Sequence, residues 1–166
     1  FSDTAANLVL AFTGITSHTG TIEVTGTAPT VAQANTLDSV TAGVITATIE
    51  TDSATDLSGL SGTGNAYTIT LANTEVATID QLKSINAATT GAITLNAQTI
   101  AANFSDTAAN LNSAFTGITS HTGTLTISAG STATIAQLVV INAATTGTVT
   151  LSSQTIAANY SDTADN

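Results

Sequence analysis

The chain repeats itself, and this self-similarity constrains its fold more than any other feature. Residues 1–21 recur at 104–124 with changes at only two positions. Two shorter phrases also recur, INAATTG at 85–91 and 141–147 and QTIAAN at 98–103 and 154–159. Copies of one unit must pack against their neighbours to bury their apolar faces, as in repeat proteins.

Marker residues of the recurring phrases give the period. Successive glycines are 48 and 56 residues apart, at Gly43, Gly91 and Gly147. Successive aspartates are 49, 54 and 56 residues apart, at Asp3, Asp52, Asp106 and Asp162. We therefore divide the chain into a partial unit 1–20, units 21–66 and 67–122, and an incomplete unit 123–166. Because this division begins and ends inside a unit, we expect 1–166 to be one continuous segment of a longer array.

Each unit contains two segments in which apolar and polar residues alternate with a period of two, as in half-buried strands. The first set lies at 21–24, 67–71 and 124–127, and the second at 44–49, 92–95 and 148–151.

A helix is predicted after each strand of the first set, over 30–43, 78–91 and 134–147. Each helix opens with Thr-x-x-Gln, the capping-box pattern, and apolar residues then follow at i, i+3 and i+6. The caps are Thr30, Thr78 and Thr134, and the apolar triplets are Val31, Ala34 and Leu37; Ile79, Leu82 and Ile85; Ile135, Leu138 and Ile141. Gly43, Gly91 and Gly147 follow, so we expect a left-handed glycine at the C′ position of each helix.

The phrase FSDTAANLNSAF predicts a second, shorter helix in each unit. Asp106 or Ser105 is the expected N-cap, and Ala108, Leu111 and Phe115 share one helical face. Equivalent helices are expected after Asp3 and Asp52.

The order strand, helix, strand, helix predicts an α/β solenoid of strand–helix half-units with one parallel sheet, because parallel strands need crossovers that are usually helical. Strands are spaced by about 4.8 Å and helices by about 8–10 Å, so such a stack must curve or use very short helices. The alternative is a right-handed parallel β-helix in which the helical segments are turns.

Threonine dominates the polar positions of the predicted strands, and the chain contains 37 threonines. If the apolar strand residues face the helices, one flank of the sheet carries the threonines of every strand. The candidate contact face comprises Thr46, Thr48, Thr68, Thr70, Thr124, Thr126, Thr148 and Thr150, with Thr21 and Thr25 beside them. Such a face could contact ice, a glycan or a second array, whereas β-propensity alone also places threonine on exposed strands.

Composition excludes several functions. One basic residue, Lys83, against eleven acidic ones gives a formal net charge of −10. Such a chain cannot replace phosphate counterions on nucleic acid or dock on anionic lipid. No apolar run reaches the length of about 20 residues that a membrane-spanning helix needs. With no cysteine, two histidines and one lysine, we expect no enzymatic activity.

The remaining polar candidates have simpler interpretations. His18 and His121 lie in ITSHTG loops without a second ligand at metal-binding spacing, so we interpret both as surface turn residues. The four repeated aspartates could form a carboxylate ladder for calcium, but helix capping also explains them. The glycine-rich stretch 59–65 lacks the Gly-Lys-Ser/Thr that completes a phosphate loop and is interpreted as a turn. No cofactor is indicated by any motif, calcium included.

The phrases TVAQANTLDSVTAGVITATI, LSGLSGTGNAYTITL, QLKSINAATTGAITL and DTAANLNSAF resemble the degenerate repeats of giant exported cell-surface proteins of marine cyanobacteria and similar bacteria. Some of those proteins are associated with RTX-type calcium-binding repeats, S-layers, motility or adhesion. The resemblance implies an extracellular or cell-surface location. The Gly-Gly-x-Gly-x-Asp calcium nonapeptide is missing, so no calcium ligand is implied at any residue.

Together these features favour a structural repeat segment of a fibre, surface layer or stalk. The alternative is an adhesin-type module that binds through the threonine face. The expected partners are neighbouring repeats of the same chain or copies of itself, with surface glycans or ice as further candidates; nucleic acid and membrane insertion are excluded.

Overall fold

The computed structural model describes residues 1–161, in which short strands and short helices alternate along the chain. The strands are β1 (Ser2–Asp3), β2 (Ile22–Val24), β3 (Ile45–Thr48), β4 (Ala66–Thr70), β5 (Ile93–Thr94), β6 (Phe104–Asp106), β7 (Leu125–Ile127) and β8 (Val149–Thr150). The helices are α1 (Ala5–Ala11), α2 (Val31–Val40), α3 (Ala54–Leu57), α4 (Ile79–Ala88), α5 (Ala97–Ala101), α6 (Ala108–Phe115), α7 (Ile135–Ala144) and α8 (Ser153–Ala157).

Each strand pairs in parallel with the next strand of its sheet. The strands form a five-stranded sheet in the order β1-β2-β3-β4-β5 and a three-stranded sheet in the order β6-β7-β8. The predicted α/β class, the strand–helix alternation and the parallel pairing are confirmed. The expectation of a single sheet is wrong, because pairing stops between β5 and β6.

The sheet is divided at α5, a helix that the sequence patterns did not predict. Nine positions separate Gly43 from Asp52, whereas fifteen separate Gly91 from Asp106, so the later copy carries six more residues. In the shorter copy, β3 runs directly to Asp52, which forms a bridge with Leu71. In the longer copy, the extra residues form α5, and a new sheet begins after it.

The three longer helices begin as predicted. The side chains of Thr30, Thr78 and Thr134 accept from the third backbone N–H of α2, α4 and α7, and the glutamines reach back to complete a capping box in each. The predicted apolar residues Ile79, Leu82 and Ile85 are buried in α4. The start of each helix and the core face of α4 therefore follow from the sequence. In α7 only Ile141 of the predicted triplet is buried, and Ile135 and Leu138 are half-buried.

The glycines after these helices have a different role from the predicted one. Gly43, Gly91 and Gly147 do not have positive φ, so none is a left-handed C′ residue. Each lies against the backbone of the preceding turn: a Cβ on Gly91 would overlap the carbonyl oxygen of Tyr67, and one on Gly147 that of Gly123. Glycine is needed here because two backbones approach closely.

The FSDTAAN phrase begins with a strand, not with a helix cap. Its first residues form β6, and the N-cap of α6 is Thr107, whose side chain accepts from Asn110 N–H. Asp106 and Ser105 are therefore not the cap, which corrects the prediction. A short strand precedes the helix because Phe104 and Asp106 pair with Leu125 and Ile127 of β7.

One apolar core lies between the sheets and the helices. Its largest fully buried side chains are Ile22, Leu37, Ile45, Ile49, Leu57, Tyr67, Ile69, Leu82, Ile85, Leu111, Phe115 and Leu125. Along the helices, α1 packs against α2, α3 against α4, α4 directly against α6, and α6 against α7. The helices that follow Thr-x-x-Gln and FSDTAAN thus pack side by side.

Candidate functional site

The candidate contact face is the outer flank of the two sheets. All eight predicted threonines are exposed or half-buried and alternate with inward-facing residues, which in β4 are the fully buried Tyr67 and Ile69. Thr21 and Thr25 are also exposed. These side chains share one flank because alternation along a strand fixes which residues share a face.

The strand register joins some of these threonines into direct pairs. The pairs are Thr48 with Thr68, Thr70 with Thr94, and Thr126 with Thr150. Paired residues on parallel strands are separated by about 4.8 Å. The second sheet continues its row with Ser105 beside Thr126.

The threonine rows are interrupted. Thr46 pairs with Glu23 on one side and Ala66 on the other. The division at α5 further separates the rows of the first sheet from those of the second. The face therefore consists of short threonine patches and not of one long ladder.

The eight threonine hydroxyls are free to contact other molecules. Within residues 1–161, none of the eight side chains donates or accepts a hydrogen bond with another protein group. Threonines at the turns behave differently: the hydroxyl of Thr89 donates to the carbonyl oxygen of Tyr67 at 2.7 Å, and that of Thr145 to Gly123 at 2.8 Å. Outer threonines thus offer hydroxyl and methyl groups to solvent, whereas turn threonines join one half-unit to the preceding one.

His121 is not the surface residue that its loop predicts. Its side chain is fully buried, and its ring lies 5.6 Å from that of Phe104 and 5.1 Å from that of Phe115. Its Nε2 is 2.9 Å from the carbonyl oxygen of Ala102, while Nδ1 has no partner. Burial lowers the pKa of this imidazole, against the smaller effect of the Ala102 carbonyl.

His18 is the equivalent residue of the first copy and is half-buried. Its ring contacts those of Phe1 and Phe12, and its Nδ1 is 2.9 Å from the hydroxyl of Thr41. The two histidines are therefore parts of equivalent aromatic clusters. Their burial was missed because phenylalanine rings from earlier in the same unit cover them, which a loop sequence does not reveal.

The repeated aspartates orient the starts of the short helices. Asp106 accepts from the backbone N–H of Thr107 at 2.6 Å and from the side chain of Asn110 at 2.8 Å. Asp3 accepts in the same way from Thr4 and Asn7, and these hydrogen bonds, above all that of Asn7, lower its pKa. Asp162 lies outside the described residues. No group of three metal-ligating side chains occurs within 1–161.

The glycine-rich stretch 59–65 forms a turn, as predicted. Gly62 and Gly64 have positive φ, and the turn ends at buried Asn65. The side chain of Asn65 accepts from Ile45 N–H at 2.9 Å and donates to Asp38 at 2.8 Å. This loop is therefore hydrogen-bonded to β3 and α2 of its own chain.

Comparison with known protein families, curated proteins and solved structures gave no match. Among the described residues, no helix is long and apolar enough to cross a membrane.

Proposed function

We propose that this chain is a segment of an α/β solenoid with a structural role, in an extracellular or cell-surface protein that forms a fibre, surface layer or stalk. The observation that carries the proposal is that equivalent residues make equivalent contacts between successive strand–helix half-units. The hydroxyls of Thr41, Thr89 and Thr145 each donate to a backbone carbonyl of the preceding turn, at 2.9, 2.7 and 2.8 Å. A contact that recurs in this way can be repeated along an array of any length.

The surface chemistry agrees with such a role. Charged side chains make up 7% of the chain, and its polar surface consists mainly of short hydroxyl and amide side chains. The partners we propose are neighbouring repeats or further copies of the chain, and the proposal includes no catalytic step.

Electron microscopy of the native cell surface, with an antibody against residues 1–161, tests this role. The proposal expects label at regular intervals along fibres, stalks or an ordered layer. Label on isolated globular particles would contradict it.

A second candidate function is adhesion through the threonine face. It is favoured by the unpaired outer hydroxyls and by the direct pairs Thr48–Thr68 and Thr70–Thr94. Ice or a glycan would be held by hydroxyl and methyl groups at the spacing of the strands.

Glycan-array and thermal-hysteresis measurements test this second function. Binding that is lost in Thr48→Lys/Thr68→Lys but kept in Ser84→Lys, an exposed change on α4, would support it. The absence of binding to every glycan and to ice would remove it.

A further inference from the structure

Both copies of the recurring phrase QTIAAN end in an asparagine that begins an Asn-x-Ser sequence. The two sequences are Asn103-Phe104-Ser105 and Asn159-Tyr160-Ser161, and neither has proline in the middle position. None of the nine other asparagines between residues 1 and 160 is followed by serine or threonine two positions later. Asn-x-Ser is the acceptor sequence for N-linked glycosylation of exported proteins, in which a sugar is bonded to Nδ2 of the asparagine.

The side chain of Asn103 is exposed and is held in place through its oxygen alone. Its Oδ1 accepts from the backbone N–H of Thr124 at 2.8 Å, and within residues 1–161 its Nδ2 makes no hydrogen bond. Glycosylation replaces one hydrogen atom of Nδ2 and leaves Oδ1 as an acceptor. The folded chain can therefore carry a sugar on Asn103 without losing the contact with Thr124.

Ser105, the second polar residue of the sequence, lies on the exposed side of β6. It pairs with Thr126 of β7, and in the part of the chain that the structure describes its hydroxyl has no hydrogen-bond partner. Phe104, between the two polar residues, is buried, and its ring lies 5.6 Å from that of Phe115. Because successive side chains alternate along a strand, Asn103 and Ser105 are both directed away from the core.

Six of the other asparagines differ from Asn103, because their Nδ2 is already bonded within the chain. Nδ2 of Asn86 donates to the carbonyl oxygen of Thr116 at 2.8 Å, and that of Asn96 to the carbonyl oxygen of Ala72 at 2.7 Å. The amide nitrogens of Asn7, Asn35, Asn65 and Asn110 are also hydrogen-bonded. A free Nδ2, exposure and a serine two positions later therefore coincide at Asn103.

We propose that Asn103 is a site of N-linked glycosylation, with a lipid-linked oligosaccharide pyrophosphate as the donor. A bond forms between Nδ2 and the anomeric carbon of the first sugar, and the bond from that carbon to the pyrophosphate oxygen breaks. The amide proton passes to a base of the transferring enzyme, and the lipid pyrophosphate leaves. The inference rests on the proposed extracellular or cell-surface location, where such a glycan is added to exported proteins.

Peptide mass spectrometry of the protein isolated from the native cell surface tests this site. Cleavage before aspartate releases residues 80–105 as one peptide, because no acidic residue lies between Asp80 and Asp106. Asn86 and Asn96 lie in the same peptide and serve as internal controls. Fragmentation that keeps the sugar attached should place the glycan mass on Asn103 and on neither control.

Variants produced in the native cells separate an N-linked sugar from other modifications of the same peptide. Asn103→Gln and Ser105→Ala should each lose the glycan completely, whereas Ser105→Thr should keep it, because Asn-x-Thr is also an acceptor. Ser84→Ala is the matched control, since it removes another exposed serine of the peptide and should leave the glycan in place. Circular dichroism checks that all variants are folded.

A native peptide 80–105 that carries no sugar would overturn the proposal. So would a sugar on Asn86, Asn96 or Ser105, or a glycan that persists in Asn103→Gln. These outcomes are separate from the structural role: an unmodified peptide from protein that microscopy finds in fibres or an ordered layer would leave that role in place.

Discussion

At the residue scale, one amino-acid type serves two purposes according to its position. Threonines on the outer flank leave their hydroxyls to solvent, whereas Thr41, Thr89 and Thr145 donate to carbonyls of the preceding turn. The burial of histidine also depends on its position: His121 is fully buried, whereas its equivalent His18 is only half-buried.

Burial of His121 makes stability depend on pH. Its pKa in the folded chain lies below the value of about 6.5 for an exposed imidazole, so the unfolded state binds the proton more readily. The free energy of unfolding should be constant above about pH 6.5 and fall below it, by up to about 1.4 kcal/mol per pH unit. Urea unfolding between pH 5 and 7.5 measures this slope.

The matched controls are phenylalanine substitutions of the two histidines. His121→Phe should flatten the slope and His18→Phe should leave it in place. If the slope survives in His121→Phe, another group causes it.

Tyr67 gives a second prediction at this scale. Its side chain is fully buried, its hydroxyl has no hydrogen-bond partner, and burial followed by the charge of Asp38 raises its pKa. Tyr67→Phe removes an unpaired polar group, so the stability should be unchanged or increase by up to about 1–2 kcal/mol. A loss of more than about 1 kcal/mol in thermal or urea unfolding would mean that the hydroxyl has a partner.

At the element scale, the sequence shows the three longer helices clearly and the short helix α5 hardly at all. The helices at 31–40, 79–88 and 135–144 were predictable because a capping box and an apolar stripe occur together. α5 was not predicted, because five residues are too few to show a helical stripe. The available signal was the six-residue difference between copies, together with the cap at Asn96, whose side chain accepts from Thr99 N–H at 2.8 Å.

The candidate contact face was predictable only in part. Alternation along each strand identified the outward threonines, since period two follows from strand geometry. The register between strands is a long-range property, and it brings Glu23 and Ala66 beside Thr46.

The role of a glycine after a helix was also ambiguous from the sequence, because a left-handed backbone and a close approach of two backbones both favour glycine.

Gly91 tests the close-approach interpretation. In Gly91→Ala, the new Cβ would overlap the Tyr67 carbonyl oxygen of β4, so the free energy of unfolding should fall by at least about 2 kcal/mol. Gly130→Ala is the comparison: Gly130 has φ of +86° and no atom within 4 Å of a new Cβ, so its cost should be about 1 kcal/mol. Urea unfolding gives both values, and equal losses would contradict the close approach at Gly91.

At the scale of the whole molecule, α5 helps to reconcile the different spacings of the strands and the helices. Neighbouring helices are spaced by about 8–10 Å and neighbouring strands by about 4.8 Å. A row of helices with one helix for each strand would therefore be longer than the row of strands. Between β5 and β6, α5 hydrogen-bonds in both directions: the Thr99 hydroxyl accepts from Ala77 N–H at 2.9 Å, and the Ile100 carbonyl accepts from Thr122 N–H at 2.8 Å. We infer that α5 lengthens the strand side while α4 and α6 remain in contact.

The central claim is that successive strands of the chain lie side by side, parallel and in the stated register, within two separate sheets. Disulfide cross-linking tests it most directly, because the chain has no native cysteine. Thr48→Cys/Thr68→Cys and Thr126→Cys/Thr150→Cys place cysteines at directly paired outward positions, at a strand separation within the Cα range of disulfides, about 4.4–6.8 Å. Both pairs should form intramolecular disulfides under mild oxidation, whereas Thr48→Cys/Thr126→Cys, which spans the two sheets, should not. Cross-linking of the two paired variants no faster than that of the control would contradict the account.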